Sequence, residues 1–214
     1  MSDFLLPVQQ VCDAYSELRT RVSDLMRSIT SEQAQTIVPH CPQWTVKDCL
    51  AHIVGVPEDV ISGQMDRVAT DAWTDRQVQR HAKDSVEDLI AIWDANAPMF
   101  GKILPNIPQP IISQFMFDQT THEHDIRRAL STPGARGSSA IAVAEGFLRN
   151  FVSRNADTEV SELANTSITG FEFVRSLSGR RTLEQISALG LPAKTVAKFI
   201  ADAPFSLPTT TVVE

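Results

Sequence analysis

Apolar residues recur every three to four positions from Pro7 to Ile29, at Val8, Val11, Tyr15, Leu18, Val22, Leu25, Met26 and Ile29, and this spacing predicts one long amphipathic helix. A second helix is predicted to start at Thr45, whose side chain can cap it together with Asp48, three residues on. Trp44 and Cys49 flank that start as a hydrophobic staple would. Its apolar face runs through Val46, Leu50, Ile53, Val60, Ile61 and Met65, and Pro57 is expected to bend or interrupt it. Between Asp75 and Leu104 the pattern is helical in the middle, with Val86, Leu89, Ile90 and Trp93 on one side and the breaking signals Pro98 and Gly101 near the end. The connector LPNIPQP follows, then a helix from about Pro110, a favoured first-turn proline, to Leu130, stopped by STPGARG.

Further on, SSAIAVAEGFLRNFVSRN predicts a fifth helix, and ITGFEFVRSLSGRRTLEQISALG predicts two short helices joined through Ser178 and Gly179. The tail PFSLPTTTVVE reads as an extended strap. No segment sustains period-two alternation between turn signals, so little or no sheet is expected. The pattern specifies an all-α protein in which residues 1–132 form a four-helix bundle and residues 138–214 a small, mainly helical C-terminal appendage.

With 214 residues the chain can bury roughly 70% of its unfolded surface. A hydrophobic content of 43% with 21% charged residues is ordinary for a globular protein. The net charge of -7 offers no attraction for phosphate backbones, and the arginines fall in scattered pairs, so nucleic-acid binding is not expected. No window approaches the roughly 18 apolar residues of a membrane span. The N-terminal MSDFLLPVQQVCDAY has no basic region ahead of its apolar run, so a cytoplasmic location is the expectation. The three cysteines, Cys12, Cys41 and Cys49, are odd in number and lack CxxC spacing, which predicts reduced thiols and neither a disulfide framework nor a zinc ribbon.

The stretch FDQTTHEHDIRRAL concentrates ionisable groups on the helix ending near Leu130. Its apolar stripe passes through Phe115, Ile126 and Ala129, and Asp118 and His122 fall on that stripe. A buried carboxylate there needs a proton, a cation or a metal. The i, i+4 spacing sets the two β-carbons about 5 to 6 Å apart, which suits a shared ion. His52, at the edge of the second helix's apolar face, is the candidate third ligand. Two imidazoles and one carboxylate with an open position match catalytic zinc sites and also non-haem iron centres. A satisfied polar network, or a site that has lost its metal, would use the same residues. His124 lies about 200° round the helix from His122 and is expected at the surface beside Arg128, as Glu123 is beside Arg127. Asp125 is open between an acceptor that fixes the His122 tautomer and a solvated carboxylate. Cys49 is expected to be a buried structural thiol, and Trp44, Trp73 and Trp93 to pack the bundle.

CPQWTVKDCLAHIVG followed by FDQTTHEHDIRRAL resembles the paired signature of the mycothiol-dependent maleylpyruvate isomerase family, within the DinB-like metal-binding four-helix superfamily. FEFVRSLSGRRTLEQI resembles the same family's C-terminal signature. The resemblance implies a DinB-like bundle with metal ligands at His52, Asp118 and His122. It implies a divalent metal, zinc foremost, and mycothiol as thiol cosubstrate. Arg180 matches the arginine of the family's Gly-Arg turn, with Arg175 and Arg181 nearby, which implies a cofactor-binding role in holding an anionic thiol or substrate. Two departures stand out. The family's usual acid is glutamate where Asp118 stands, and only about a dozen residues occupy the segment between Asn155 and Ile168 where many members carry strands.

The function so implied is a thiol-dependent transferase or isomerase acting on small electrophiles. The alternative is a non-catalytic DinB-like metal-binding or stress-associated protein, which the two departures favour. Metal-dependent hydrolysis ranks third, because no additional general base stands out. The expected partners are a small-molecule thiol and an electrophilic substrate, with no nucleic acid and no membrane, and a homodimer is a possible assembly.

Overall fold

The computed structural model describes residues 4–203 and 205–212. Among them the helices are α1 (Val8–Arg27), α2 (Ser31–Ala34), α3 (Val46–Ser62), α4 (Asp71–Arg80), α5 (Val86–Ile103), α6 (Ile111–Ala129), α7 (Ser139–Ser153), α8 (Thr158–Glu162), α9 (Gly170–Leu177), α10 (Leu183–Ala188) and α11 (Ala193–Ala201). The described sheet is one antiparallel hairpin of β1 (Ile37–Val38) and β2 (Cys41–Thr45). Among the described residues the protein is all-α, with little sheet.

Contacts divide the chain into two compact units, one formed by residues 15–108 and 122–133, the other by residues 1–14, 109–121 and 134–214. The long helices α1 and α6 are each continuous across a division.

In the unit of residues 15–108 and 122–133, α3 is central and packs against α4 and α5. Its start is fixed by the capping box read from the sequence: the Thr45 hydroxyl accepts from the Asp48 N–H at 3.1 Å, and the Asp48 carboxylate accepts from the Thr45 N–H at 3.0 Å. Pro57 does not interrupt α3, which ends at Gly63 in the left-handed region (φ 72°). A proline inside a helix costs about 3 kcal/mol, and the burial of every residue from Cys49 to Pro57 offsets it. Met65 therefore lies beyond the helix, exposed, and not on its apolar face. Likewise α5 runs through Pro98 and Gly101, anchored by buried Trp93 and Phe100. Trp93 donates its indole N–H to the Tyr15 hydroxyl at 2.8 Å, and Tyr15 meets Phe100 edge-on, which ties α1 to α5.

Three features of this unit fall outside the sequence pattern, the short helix α2, the β1–β2 hairpin and α4. The sequence of α4, DAWTDRQVQR, carries only Trp73 and Gln77 as buried residues, so it has no apolar stripe to announce it.

In the other unit, α7 and α9 pack together over a core that includes Phe117, Phe147, Leu148, Phe173, Leu177 and Ile186. The two short helices expected around Ser178 and Gly179 are α9 and α10. Gly179 has a φ of 74°, and a β-carbon there would stand 2.5 Å from the Ser206 carbonyl oxygen, so the turn requires glycine. The tail from Phe205 to Val212 is irregular and strap-like. Phe205 stacks edge-on against Phe117, and Gln185 donates to the Val212 carbonyl at 3.2 Å.

Candidate metal centre

His52 sits mid-way along α3, fully buried, and His122 lies on α6 with its ring 4.9 Å from that of His52, nearly perpendicular to it. Trp44, at the end of β2, covers both imidazoles, at 5.3 Å from His52 and 5.6 Å from His122. Trp73 of α4 meets the His52 ring edge-on at 6.2 Å. Two histidines in an aromatic enclosure have few rotamers open to them, so their ring nitrogens are aimed in advance. Asp118 is half-buried and precedes His122 by one turn of the same continuous helix. Ligand atoms of His52, Asp118 and His122 lie within 4.8 Å of one another, so these residues could hold a metal ion. Bonds of about 2.0 to 2.2 Å to nitrogen and oxygen require donors somewhat closer than that, an adjustment within reach of side-chain rotation.

A second donor group shares His122. Cys41, Asp125 and His122 also offer ligand atoms within 4.8 Å of one another. The Cys41 thiol faces the Asp125 carboxylate at 3.8 Å, and His122 Nδ1 lies 3.2 Å from Asp125 Oδ2. Asp125 is fully buried, so the reading of it as a solvated carboxylate is excluded, and it stands where it can orient the His122 ring. Cys41 carried no signal in the sequence beyond being a cysteine; the hairpin that brings it to α6 has no periodic pattern. Cys49 is buried and directs its thiol to the His122 carbonyl at 3.8 Å, the structural role expected of it.

Glu123 and His124 are not at the surface; both are buried. The helical wheel assumed that one face of α6 meets water, whereas every described residue from Gln119 to Ile126 is covered. Glu123 is instead the hub of a charged cluster. It accepts from Arg21 at 2.8 and 3.2 Å and from Arg127 at 3.0 Å.

His52 also heads a polar chain. Its Nδ1 lies 2.6 Å from Gln77 Oε1, and Gln77 Nε2 donates to Asp59 Oδ2 at 2.7 Å. Arg80 then bridges Asp59 and Glu58, and Glu58 accepts from His81 Nε2 at 2.7 Å, while His81 Nδ1 meets Asp84 at 2.7 Å. The Glu58 carboxylate, hydrogen-bonded to the ring, holds His81 above the ordinary histidine pKa against the opposing effect of burial, and Asp84 adds to it. Burial works to raise the Glu58 pKa, but the bonds from His81 and Arg80 prevail and lower it.

Arg180 is half-buried at the Gly179 turn and donates to the Ser178 carbonyl at 2.6 Å. Arg181 is bidentate to Glu172. Arg175 is fully buried and donates to the Thr121 carbonyl at 3.3 Å.

Residues 15–109 match the model of the mycothiol maleylpyruvate isomerase N-terminal domain. This span includes α3 with His52. Over those residues the chain is similar to that N-terminal domain. Comparison with curated proteins and with solved structures gives no match. No described helix is long and apolar enough to cross a membrane.

Proposed function

We propose that this protein binds one divalent metal, zinc foremost, through His52, Asp118 and His122, and uses a mycothiol-type thiol as nucleophile toward small electrophilic substrates. The observation that supports this most directly is the convergence of two buried imidazoles and one carboxylate in a chain whose residues 15–109 match the family's N-terminal domain.

The donor set fits the metal. Nitrogen and carboxylate ligands suit zinc, and three protein ligands leave the fourth position open. When bound, the metal supplies Lewis acidity that favours thiolate over thiol near neutral pH. The chain's own residues do the rest. His52 and His122 serve as ligands and not as proton carriers, because coordination occupies the nitrogen that would act as base. Asp118 contributes a single negative charge, which leaves the centre net positive and attractive to an anionic sulfur. Trp44 keeps the imidazoles packed and limits water at them. Arg180 is assigned to the anionic part of the thiol or substrate, a role its half-buried guanidinium at a tight turn can serve. The reaction class is addition of the thiol to an electrophile, which ends in S-conjugation or, where the thiol leaves again after bond rotation, in cis-trans isomerisation.

Metal analysis of the purified protein, followed by turnover assays with mycothiol and a panel of electrophiles, tests the proposal. About one equivalent of metal is expected, lost in His52→Ala, together with thiol-dependent turnover. Bound metal without turnover on any electrophile would instead support the non-catalytic reading, which the shorter Asp118 favours. Failure to bind zinc at all would remove the metal site.

A further inference from the structure

Gln77 of α4 belongs to no sequence motif, yet it is the group that touches the far side of His52. The amide is completely buried, with Oε1 2.6 Å from His52 Nδ1 and Nε2 2.7 Å from Asp59 Oδ2. Asp59 is itself buried, and its second oxygen is held by the Arg80 guanidinium. Gly55 makes room for this arrangement. A β-carbon at position 55 would stand 2.7 Å from Gln77 Cβ, so α4 reaches this position only because α3 presents bare backbone there.

The direction of every hydrogen bond in the chain follows from its far end. Arginine only donates, so Asp59 accepts from it as a carboxylate. A carboxylate only accepts, so the Gln77 NH2 must face Asp59. The amide oxygen is thereby turned to His52, and since an amide oxygen only accepts, His52 Nδ1 must carry the proton. In a neutral imidazole this leaves the lone pair on Nε2. Gln77 offers no alternative orientation, because flipping its amide would set NH2 against Nδ1–H at one end and oxygen against carboxylate at the other.

We propose that Gln77 is a positioning residue, which with Asp59 and Arg80 locks His52 in the Nδ1–H tautomer and presents Nε2 for coordination. This rests on the metal reading above. It names a device that the sequence signature does not contain, with the tautomer of one ligand fixed from a different helix. His122 Nδ1 lies 3.2 Å from Asp125 Oδ2 of its own helix, so the Gln77 contact is particular to His52.

The test uses the full chain and reads two quantities. Ring 15N spectra of metal-free protein report the His52 tautomer, and competition of zinc with a chromogenic chelator reports affinity. Wild type is expected to show protonated Nδ1 at His52. Gln77→Met, close in volume but with only a weakly accepting thioether, should give a mixed tautomer and a roughly 10- to 100-fold loss of zinc affinity, the range for removal of a ligand's hydrogen-bond partner. The paired exchange Asp59→Asn with Gln77→Glu keeps the net charge and leaves an acceptor facing both Arg80 and His52 Nδ1, with only the bond between residues 59 and 77 reversed. It should restore the Nδ1–H tautomer and bring affinity close to wild type, which a purely structural role for Gln77 does not predict. If Gln77→Met does not fold, Asp59→Asn alone carries the comparison, because it frees the Gln77 amide to flip, and the paired exchange should correct it. A wild-type zinc affinity and unchanged tautomer in Gln77→Met, or in Asp59→Asn where that variant carries the test, overturn the positioning role alone. Wild-type protein that takes up no zinc overturns the metal reading on which it rests.

Discussion

At the residue scale, the difference between what a side chain is and what surrounds it decides its role. Asp118 and His122 were legible because a polar pair at i, i+4 on an apolar stripe is anomalous in sequence. Glu123 and His124 were misplaced because the same wheel gives them the opposite face, and only packing shows that α6 has no solvated face along this stretch. Glu123 demonstrates the energetic consequence. Its carboxylate is fully buried and is held by Arg21 from α1 and Arg127 from its own helix. Arg21→Ala leaves a buried charge with one partner in place of two, and should destabilise the fold by about 2 kcal/mol, below the roughly 3 to 5 of a fully stranded charge because Arg127 remains. Urea unfolding of the variant checks this. Glu123→Gln in the Arg21→Ala background should recover part of the loss, since a neutral amide costs less to bury alone.

At the element scale, the strongly periodic helices α1, α3, α5, α6 and α7 follow the sequence pattern, and the capping box at Thr45 marks the start of α3. The exceptions are instructive. Pro57, Pro98 and Gly101 signal breaks that do not occur, because burial on neighbouring helices outweighs local propensity. In α4 the reverse holds: a polar segment with little apolar content is helical because Trp73 and Gln77 are sequestered against α3. Gly55 is the contact that permits this. Gly55→Ala gains roughly 1 kcal/mol of helix propensity, but the new methyl collides with the root of Gln77, where no flexible chain end can yield, and overpacking costs typically 1 to 3 kcal/mol. The expected outcome is a net destabilisation together with weakened zinc binding, read by thermal unfolding and chelator competition. A stabilised variant with unchanged zinc affinity would contradict the close approach of α4 and α3.

At the scale of the whole molecule, the polar chain through Asp59, Arg80, Glu58 and His81 makes stability depend on pH. His81 faces Glu58 and Asp84, with Arg80 beside it, and Lys47 donates to the His81 carbonyl. Its folded pKa is raised above the ordinary 6.5. Its contribution is therefore fully present below about pH 6.5 and is lost as pH rises through the higher folded value. Glu58, lowered from 4.5, contributes above its ordinary value and loses that contribution as pH falls through the depressed one. Urea midpoints of wild type and His81→Gln across pH 5 to 9 check the sign. The wild type should lose an advantage over the variant as pH rises from about 6.5, and a constant difference would show that His81 does not titrate differently in the folded state.

The sequence by itself determined the all-α class, the long helices, the absence of a membrane-spanning segment among those helices, and the candidate ligands His52, Asp118 and His122, because each of these is written in local spacing or in short motifs. Tertiary structure alone decided that Cys41 and Asp125 stand beside His122, that Glu123 is a buried hub, and that Gln77 reaches His52. Each of those facts joins residues from separate elements or depends on how completely one helix is covered. Periodicity records which side of a helix prefers to be buried, but not what the other side will meet.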